Sequence, residues 1–322
     1  MKLFKPLVKI AISVALIAIV LHAFDVRGVV AHFTKVDAAT LLGVIAIALS
    51  ISLLHTVRWM AVIEAAGANM KFRTALQVVL IGHFFNQALP SSVGGDAVRI
   101  WCSRRAGLGL ATAAHTVIMD RMLSLFSLLL LSAAGLPWLF EIIVDPVARW
   151  ALSTVLLAGV AGFCGFLAIT GLPQFIAEWR VTHALLDLAA LGRKIVFSLR
   201  HLLMTILSSV VSFMTFSVIV YYLAHAMQLD ITALDCALLV PPVILVSVLP
   251  ISIAGWGVRE GAMVVAFSYV NIPADGAFAV SVLFGLTLAA ASLPGSLLWW
   301  FGGYSRNQVE TKPGVVNDSG RE

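Results

Sequence analysis

The sequence predicts an all-α, polytopic integral membrane protein of about six full spans plus two re-entrant helical hairpins in an inverted repeat. Three observations carry this prediction. Of 322 residues, 61% are hydrophobic and only 11% charged, and the mean hydropathy is +1.01. A soluble domain runs near about 25% charged, so a water-soluble enzyme and intrinsic disorder are both excluded. Second, no Asp, Glu, Lys or Arg occurs between Asp37 and Arg58, Arg121 and Glu141, Arg149 and Glu178, Arg200 and Asp230, or Asp275 and Arg306. Most of these gaps hold the roughly 20 apolar residues that a helix needs to cross the hydrocarbon core. Third, two further apolar stretches each stop at a Pro/Gly/Ser break, and the breaks share a motif.

The elements follow in order from the charge map. The run 8–24 is short and spans if Lys2, Lys5 and Lys9 snorkel to the headgroups. No small-residue cleavage site follows it, so it reads as a retained first helix and not as a signal peptide. Further spans are expected at 38–60, 112–135, 150–170, 202–227 and 277–302. Segments 74–90 and 236–250 run into their breaks and then a short charged helix, the pattern of a chain that enters part-way and turns back.

Between 174 and 200, Ile176, Trp179, Leu186, Leu188, Leu191, Ile195 and Leu199 form an imperfect apolar stripe against Arg180, His183, Asp187, Arg193, Lys194 and Arg200. An amphipathic helix on the cytoplasmic leaflet and a plain linker both fit it. The tail 304–322 is polar and expected to be disordered. One membrane domain thus covers 1–303, with halves at 1–135 and 150–303.

Basic loops set the orientation. Lys71 and Arg73, Arg104 and Arg105, and Arg180, Arg193, Lys194 and Arg200 fall on one side with the N-terminal lysines. Loops 25–37, 136–149 and 228–235 are neutral or acidic. The alternation works if both termini are cytoplasmic and the two broken segments enter from opposite faces. Trp138, Trp150, Trp299 and Trp300 then fall at span ends, where indole rings favour the interface.

The broken segments superimpose without a gap. LPSSVGGDAVR at 89–99 and LPISIAGWGVR at 249–259 share Leu89/Leu249, Pro90/Pro250, Ser92/Ser252, Gly95/Gly255, Val98/Val258 and Arg99/Arg259. Gly94 lies opposite Ala254. Inverted repeats interrupted by Pro and Gly point to a binding site near the midplane of a transporter. Pro90 and Pro250 end the first helix of each pair and serve as hinges. The second helix then begins inside the protein, with free N–H groups suited to an anion.

Arg99 and Arg259 lie about 10 Å beyond Ser92 and Ser252 if the chain is helical. A guanidinium at membrane depth costs about 2.5–3.5 kcal/mol, so it must face protein, water or substrate. The candidate substrate-binding residues are Ser92, Gly94, Gly95, Asp96, Arg99, Asp120, Arg121, Ser252, Gly255, Arg259 and Glu260. A purely structural alternative stands beside each. Arg99 can pair with Asp96 or Asp120, Arg121 with Asp96, and Arg259 with Glu260, which would merely lock the hairpins. His83, Asn86 and Gln87 either line a polar path or satisfy backbone groups that a proline frees.

Other chemistry finds no motif. Cys102, Cys164 and Cys236 are far apart in apolar surroundings, and the eight histidines lack H-x-x-x-H and H-E-x-x-H spacing, so neither a disulfide framework nor a metal is expected. Ser-Val-Gly-Gly-Asp lacks the phosphate-loop Lys, and no G-x-S-x-G elbow occurs. No cofactor and no nucleic-acid partner are expected. Small residues such as Gly159 and Gly165 are compatible with helix contacts within a protomer or in a homo-oligomer.

Pro90–Arg99, the Asp120-Arg121 pair and LPISIAGWGVRE at 249–260 together resemble the lysylphosphatidylglycerol synthase transmembrane region, also called the flippase-like domain family. The resemblance covers about 8–302, with Ala254 where the family often has a second glycine. It implies a bacterial or archaeal inner-membrane protein that moves lipids, or lipid-linked groups, between leaflets. Two-domain members carry a soluble aminoacyl-transferase domain, and its absence here implies that this chain does not make lysylphosphatidylglycerol. Stand-alone members are implied to serve other lipids, including hopanoid-linked transport.

The leading expectation is a non-enzymatic translocator of an anionic lipid, its headgroup between the two hairpin tips and its tails in the bilayer. Asp96, Asp120 or Glu260 are the candidate proton carriers if transport is ion-coupled. The alternatives are an integral-membrane lipid transferase, a non-transporting accessory protein working with envelope-lipid biosynthesis proteins, and a transporter of soluble anions.

Overall fold

The computed structural model describes residues 31–89, 94–169, 180–248 and 256–301, and among them every regular element is an α-helix. The expected span 8–24, the tail, and Pro90, Ser92, Pro250, Ser252 and Gly255 lie outside these residues. The helices are α1 (Ala38–Ala65), α2 (Phe72–Ala88), α3 (Gly94–Arg105), α4 (Leu110–Ala134), α5 (Leu136–Ile142) and α6 (Pro146–Ala168). They continue with α7 (Arg180–Val196), α8 (Leu199–Ala226), α9 (Ala233–Ser247), α10 (Val258–Ser268) and α11 (Ala274–Phe301). Helices α1, α4, α6, α8 and α11 are long and apolar enough to cross a membrane. They occupy the places expected for the second to sixth spans.

Local chemistry sets the helix ends. Asp37 caps α1 by accepting the Thr40 N–H at 3.0 Å, and hydrogen bonds from Thr40 hold its carboxyl below the usual carboxylate range. Asp145 caps α6 ahead of Pro146, which occupies the first turn where a missing N–H costs nothing. Thr232 and Asp235 form a reciprocal capping box on α9.

Three boundaries differ from expectation. Helix α1 runs to Ala65 instead of 60, which places Arg58 inside it. The segment 136–149 holds α5, whose Leu139 is fully buried, and Arg149 Nε ties the following turn by donating to the Ile143 carbonyl at 2.5 Å. The amphipathic segment ends at Val196, and Leu199 and Arg200 belong to α8. Its apolar stripe faces protein: Leu188, Leu191 and Ile195 pack with Val62, Met119, Leu123 and Phe163. Arg193 Nη1 donates to the last carbonyls of α6, Leu167 at 2.9 Å and Ile169 at 2.7 Å, which otherwise lack intrahelical partners. The described part of this segment is docked on the bundle.

The outer surface is apolar, with Leu42, Leu53, Ile118, Leu157, Leu207 and Leu286 exposed, as suits helices whose outer face meets lipid. Buried side chains gather at two ends of the bundle. At one end Trp59 and Ile63 of α1 pack with α2 and α3, and with Leu298 and Trp299 of α11. At the other, Val44, Ala48 and Ile51 of α1 pack with α9, α10 and the N-terminal half of α11. The two pairs of short helices therefore belong to different clusters and meet opposite halves of α11. That is the spatial form of an inverted duplication.

Candidate functional site

Helices α2 and α3 form an antiparallel pair held by close backbone contact. A Cβ on Gly95 would collide with the Gly82 carbonyl and with the Asn86 side chain, and Asn86 Oδ1 accepts the Gly95 N–H at 3.0 Å. Of the two roles open to Asn86, it thus serves the backbone. Gly82 in turn leaves room for the Arg99 stem, which a Cβ would meet at 2.5 Å. The consequence is that Arg99 is laid across α2 and pointed at α4.

There it joins a chain of alternating charges. Arg58 Nε donates to Asp120 Oδ1 at 2.7 Å, and its Nη1 to Ser124 Oγ at 3.0 Å and Ser209 Oγ at 3.3 Å. Arg99 Nη1 donates to Asp120 Oδ2 at 3.0 Å and lies 3.7 Å from Asp96 Oδ1. Arg121 Nε donates to Asp96 Oδ2 at 2.7 Å. The series Arg58–Asp120–Arg99–Asp96–Arg121 thus draws on α1, α3 and α4. Asp120 is 1% exposed, Arg58 4% and Arg99 6%, while the Arg121 side chain is 46% exposed.

Three guanidinium groups face two carboxylates: Arg58 and Arg99 balance Asp96 and Asp120 in the interior, and the third cation, Arg121, is half-exposed. The same place holds unused donors. Arg99 Nε and Nη2 and the indole Nε1 of Trp59 are buried without a hydrogen-bond partner among the described residues, as is Asp96 Oδ1. The Trp59 ring lies 4.6 Å from the Arg99 guanidinium carbon, a cation–π contact that replaces part of the lost hydration. In a low-dielectric interior such unfilled donors are costly, and the acceptor oxygens of an anion would fill them.

The second copy is built differently. Arg259 bonds its own neighbour: Nη2 donates to Glu260 Oε1 at 2.6 Å and Nε to the same oxygen at 3.2 Å. Ser281 of α11 lies 3.4 Å from both groups. The guanidinium rests on Gly285, where a Cβ would overlap it, and sits 4.9 Å from the Trp256 ring. In the repeat register Trp256 stands where the first copy has Asp96, and Ile100 where the second has Glu260. The acid has moved from one side of the arginine to the other, and the pair is neutral.

Glu260 also accepts the Gly257 N–H, and Gly257 adopts φ +87°, a left-handed conformation that favours glycine. Gly257→Ala is expected to cost about 1–2 kcal/mol, read as a lower unfolding midpoint in mild detergent. An unchanged midpoint would remove the strain argument.

Residues 7–295 match the lysylphosphatidylglycerol synthase TM region. The chain belongs to that family. The matched residues contain both helix pairs, the charge chain and most of the spans. A relative in Methanocaldococcus jannaschii, the UPF0104 membrane protein MJ1595, is 24% identical over 255 residues, covering 72% of this chain and 75% of its own. Both comparisons describe a membrane protein, in agreement with the long apolar helices, and the family ties this one to membrane-lipid biology.

Asp96, Arg99, Asp120 and Arg121 are brought together, with Gly94 and Gly95 opening α3 beside them; Arg259 and Glu260 form a separate pair. Sequence reading missed Arg58, because it stood at the edge of a charge-free gap and passed for a span end. The signal was there: residues 59–63 beyond it are all apolar and Gly67 comes only later, so the helix had no reason to stop at Arg58.

Proposed function

We propose that this chain translocates an anionic lipid, or a lipid-linked precursor, between the leaflets of a bacterial or archaeal cytoplasmic membrane, as a transporter and not an enzyme. One observation carries the reading: a chain of three guanidinium groups and two carboxylates whose buried central arginine keeps Nε and Nη2 without a hydrogen-bond partner among the described residues. A lipid phosphodiester supplies a single negative charge and acceptor oxygens, and arginine binds phosphate through a planar fork. Half of the cluster rides on the α2–α3 pair and half on α1 and α4, so rocking of one against the other would open the site alternately.

The reading places the headgroup against the first helix pair, with Arg259 as a lock in the second. A cavity of about 640 Å³ adjoins the same part of α1, walled by Met60, Met70, Phe72 and Met204, with Glu64 and Arg200 at its rim. A lining that mixes apolar side chains with Glu64, Asn69 and Arg200 suits an amphiphile.

Arg99→Ala is the deciding variant because it leaves two arginines against two aspartates, a balanced cluster expected to fold. Lipids that co-purify with wild type and variant in mild detergent would be compared by mass spectrometry. One anionic lipid is expected to be enriched on wild type and reduced about tenfold or more on the variant, the scale of charged hydrogen bonds. Bulk-like lipid on both would make the arginines structural locks and favour the accessory role.

A further inference from the structure

Beside the charge chain, and serving none of its bonds, lies a second polar group. His83 of α2 is hydrogen-bonded at both ring nitrogens: Nδ1 to Ser52 Oγ at 3.1 Å and Nε2 to His55 Nδ1 at 3.1 Å. The rings meet edge to face, centroids 5.1 Å apart. Ser52 is buried and both histidines are partly so. The charged groups facing them are Arg58 from α1, Arg99 from α3, and Asp120 and Arg121 from α4. Helices α8 and α11, which pack on α1, bring no Asp, Glu, Lys or Arg beyond Arg200 and Asp275.

The hydrogen-bond pattern has a chemical consequence. A neutral His83 carries one N–H, so it donates to one neighbour and accepts from the other. If His83 Nδ1 is the accepting nitrogen, an added proton settles there and the Ser52 hydroxyl turns to accept. If Nε2 is, the added proton enters at His55 Nε2 while the His55 Nδ1 hydrogen passes to His83 Nε2, and both His83 N–H groups then donate. Neither bond breaks. A second proton would set N–H against N–H, so the pair holds at most one. Taking a charge out of water opposes that proton, and so do the facing guanidinium groups; an anion beside Arg99 offsets the second obstacle. Of the acids first considered as proton carriers, Asp96, Asp120 and Glu260 are each engaged by an arginine in an ion pair.

We propose that the His55–His83 pair is a one-proton site that fills when an anion occupies the free donors of Arg99, so that anion and proton bind as a coupled load. The inference rests on the Arg99 reading above. Linkage is reciprocal, so protonation of the pair must tighten the anion by the same factor.

The test uses the full chain in mild detergent, with dihexanoylphosphatidylglycerol as probe because its phosphodiester does not titrate near neutrality. Calorimetry in buffers of different ionisation enthalpy counts protons. Wild type is expected to take up a proton fraction no larger than one per chain, and to bind about three- to tenfold more tightly as the pH falls from about 8 to about 6. His83→Gln keeps a donor and an acceptor but cannot be protonated. It is expected to bind with buffer-independent heat and a flat pH profile, and His55→Gln to do the same if the first variant does not purify folded. A merely structural bond between α1 and α2 would leave proton counts unchanged. Binding to wild type without proton uptake, or uptake that survives both substitutions, overturns the proton site alone. No binding to wild type overturns the Arg99 reading, and this inference with it.

Discussion

Asp120→Ala is expected to destabilise the protein by about 3–5 kcal/mol, the scale of a broken buried ion pair. Asp120 is the shared acceptor of two buried arginines, with one oxygen 2.7 Å from Arg58 and the other 3.0 Å from Arg99. Removing it leaves those two guanidinium groups facing each other, with Asp96 already engaged by Arg121. Two buried guanidinium groups then lose their shared counter-charge in a place where water screens little. Arg99→Ala changes the same cluster in the opposite direction and brings it to balance, so the two variants separate charge from packing. The double variant Arg58→Gln/Asp120→Asn is expected to recover most of the loss, since removing both partners of a buried pair is often near neutral. Thermal unfolding in detergent followed by tryptophan fluorescence reads all three. An Asp120→Ala midpoint equal to wild type would mean the carboxylate does not hold the arginines.

Gly295→Val is expected to cost about 3 kcal/mol, the upper range for overpacking, because the obstacle is backbone. At this glycine α11 touches α2: a Cβ would overlap the Leu80 carbonyl and meet the Phe84 Cβ at 3.0 Å. A carbonyl inside a helix cannot rotate away, so α2 must separate from α11. Small residues at such crossings allow backbones to approach when lipid offers no hydrophobic drive. Gly165→Val is the control, since nothing lies within 4 Å of a Cβ there. The same unfolding measurement should show a lower midpoint for the first and none for the second; equal midpoints would dissolve the crossing.

The spans were legible because hydrocarbon permits few charges, and gaps in the charge map translate directly into helices. The pairing of Asp120 with Arg99 and Asp96 with Arg121 was legible too, because buried charges need partners and few were available. What escaped was set by three-dimensional packing. Arg58 sits about two helical turns inside the end of α1, and its partners on α4 and α8 are 62 and 151 positions away, which periodicity cannot report. The asymmetry of the two arginines also escaped. Six shared residues made Arg99 and Arg259 look equivalent, whereas Trp256 and Glu260 had exchanged the place of the acid. The stripe on α7 announced amphipathicity, but only neighbours such as Met119 and Phe163 determine that it meets protein.

Helix α11 has a mechanical consequence. At 28 residues it is a rod about 42 Å long, with Gly285 cradling Arg259 near its middle and Gly295 wedged on Leu80 about 15 Å further on. Such a beam makes the far pairs of short helices two pans of one balance: tilt at either is felt at the other. Pro294 stands immediately beside the Leu80 wedge and cannot donate to the Ala290 carbonyl, so the rod is softest at its own fulcrum. Flexure there would let one pan move by a helical bend before the other answers.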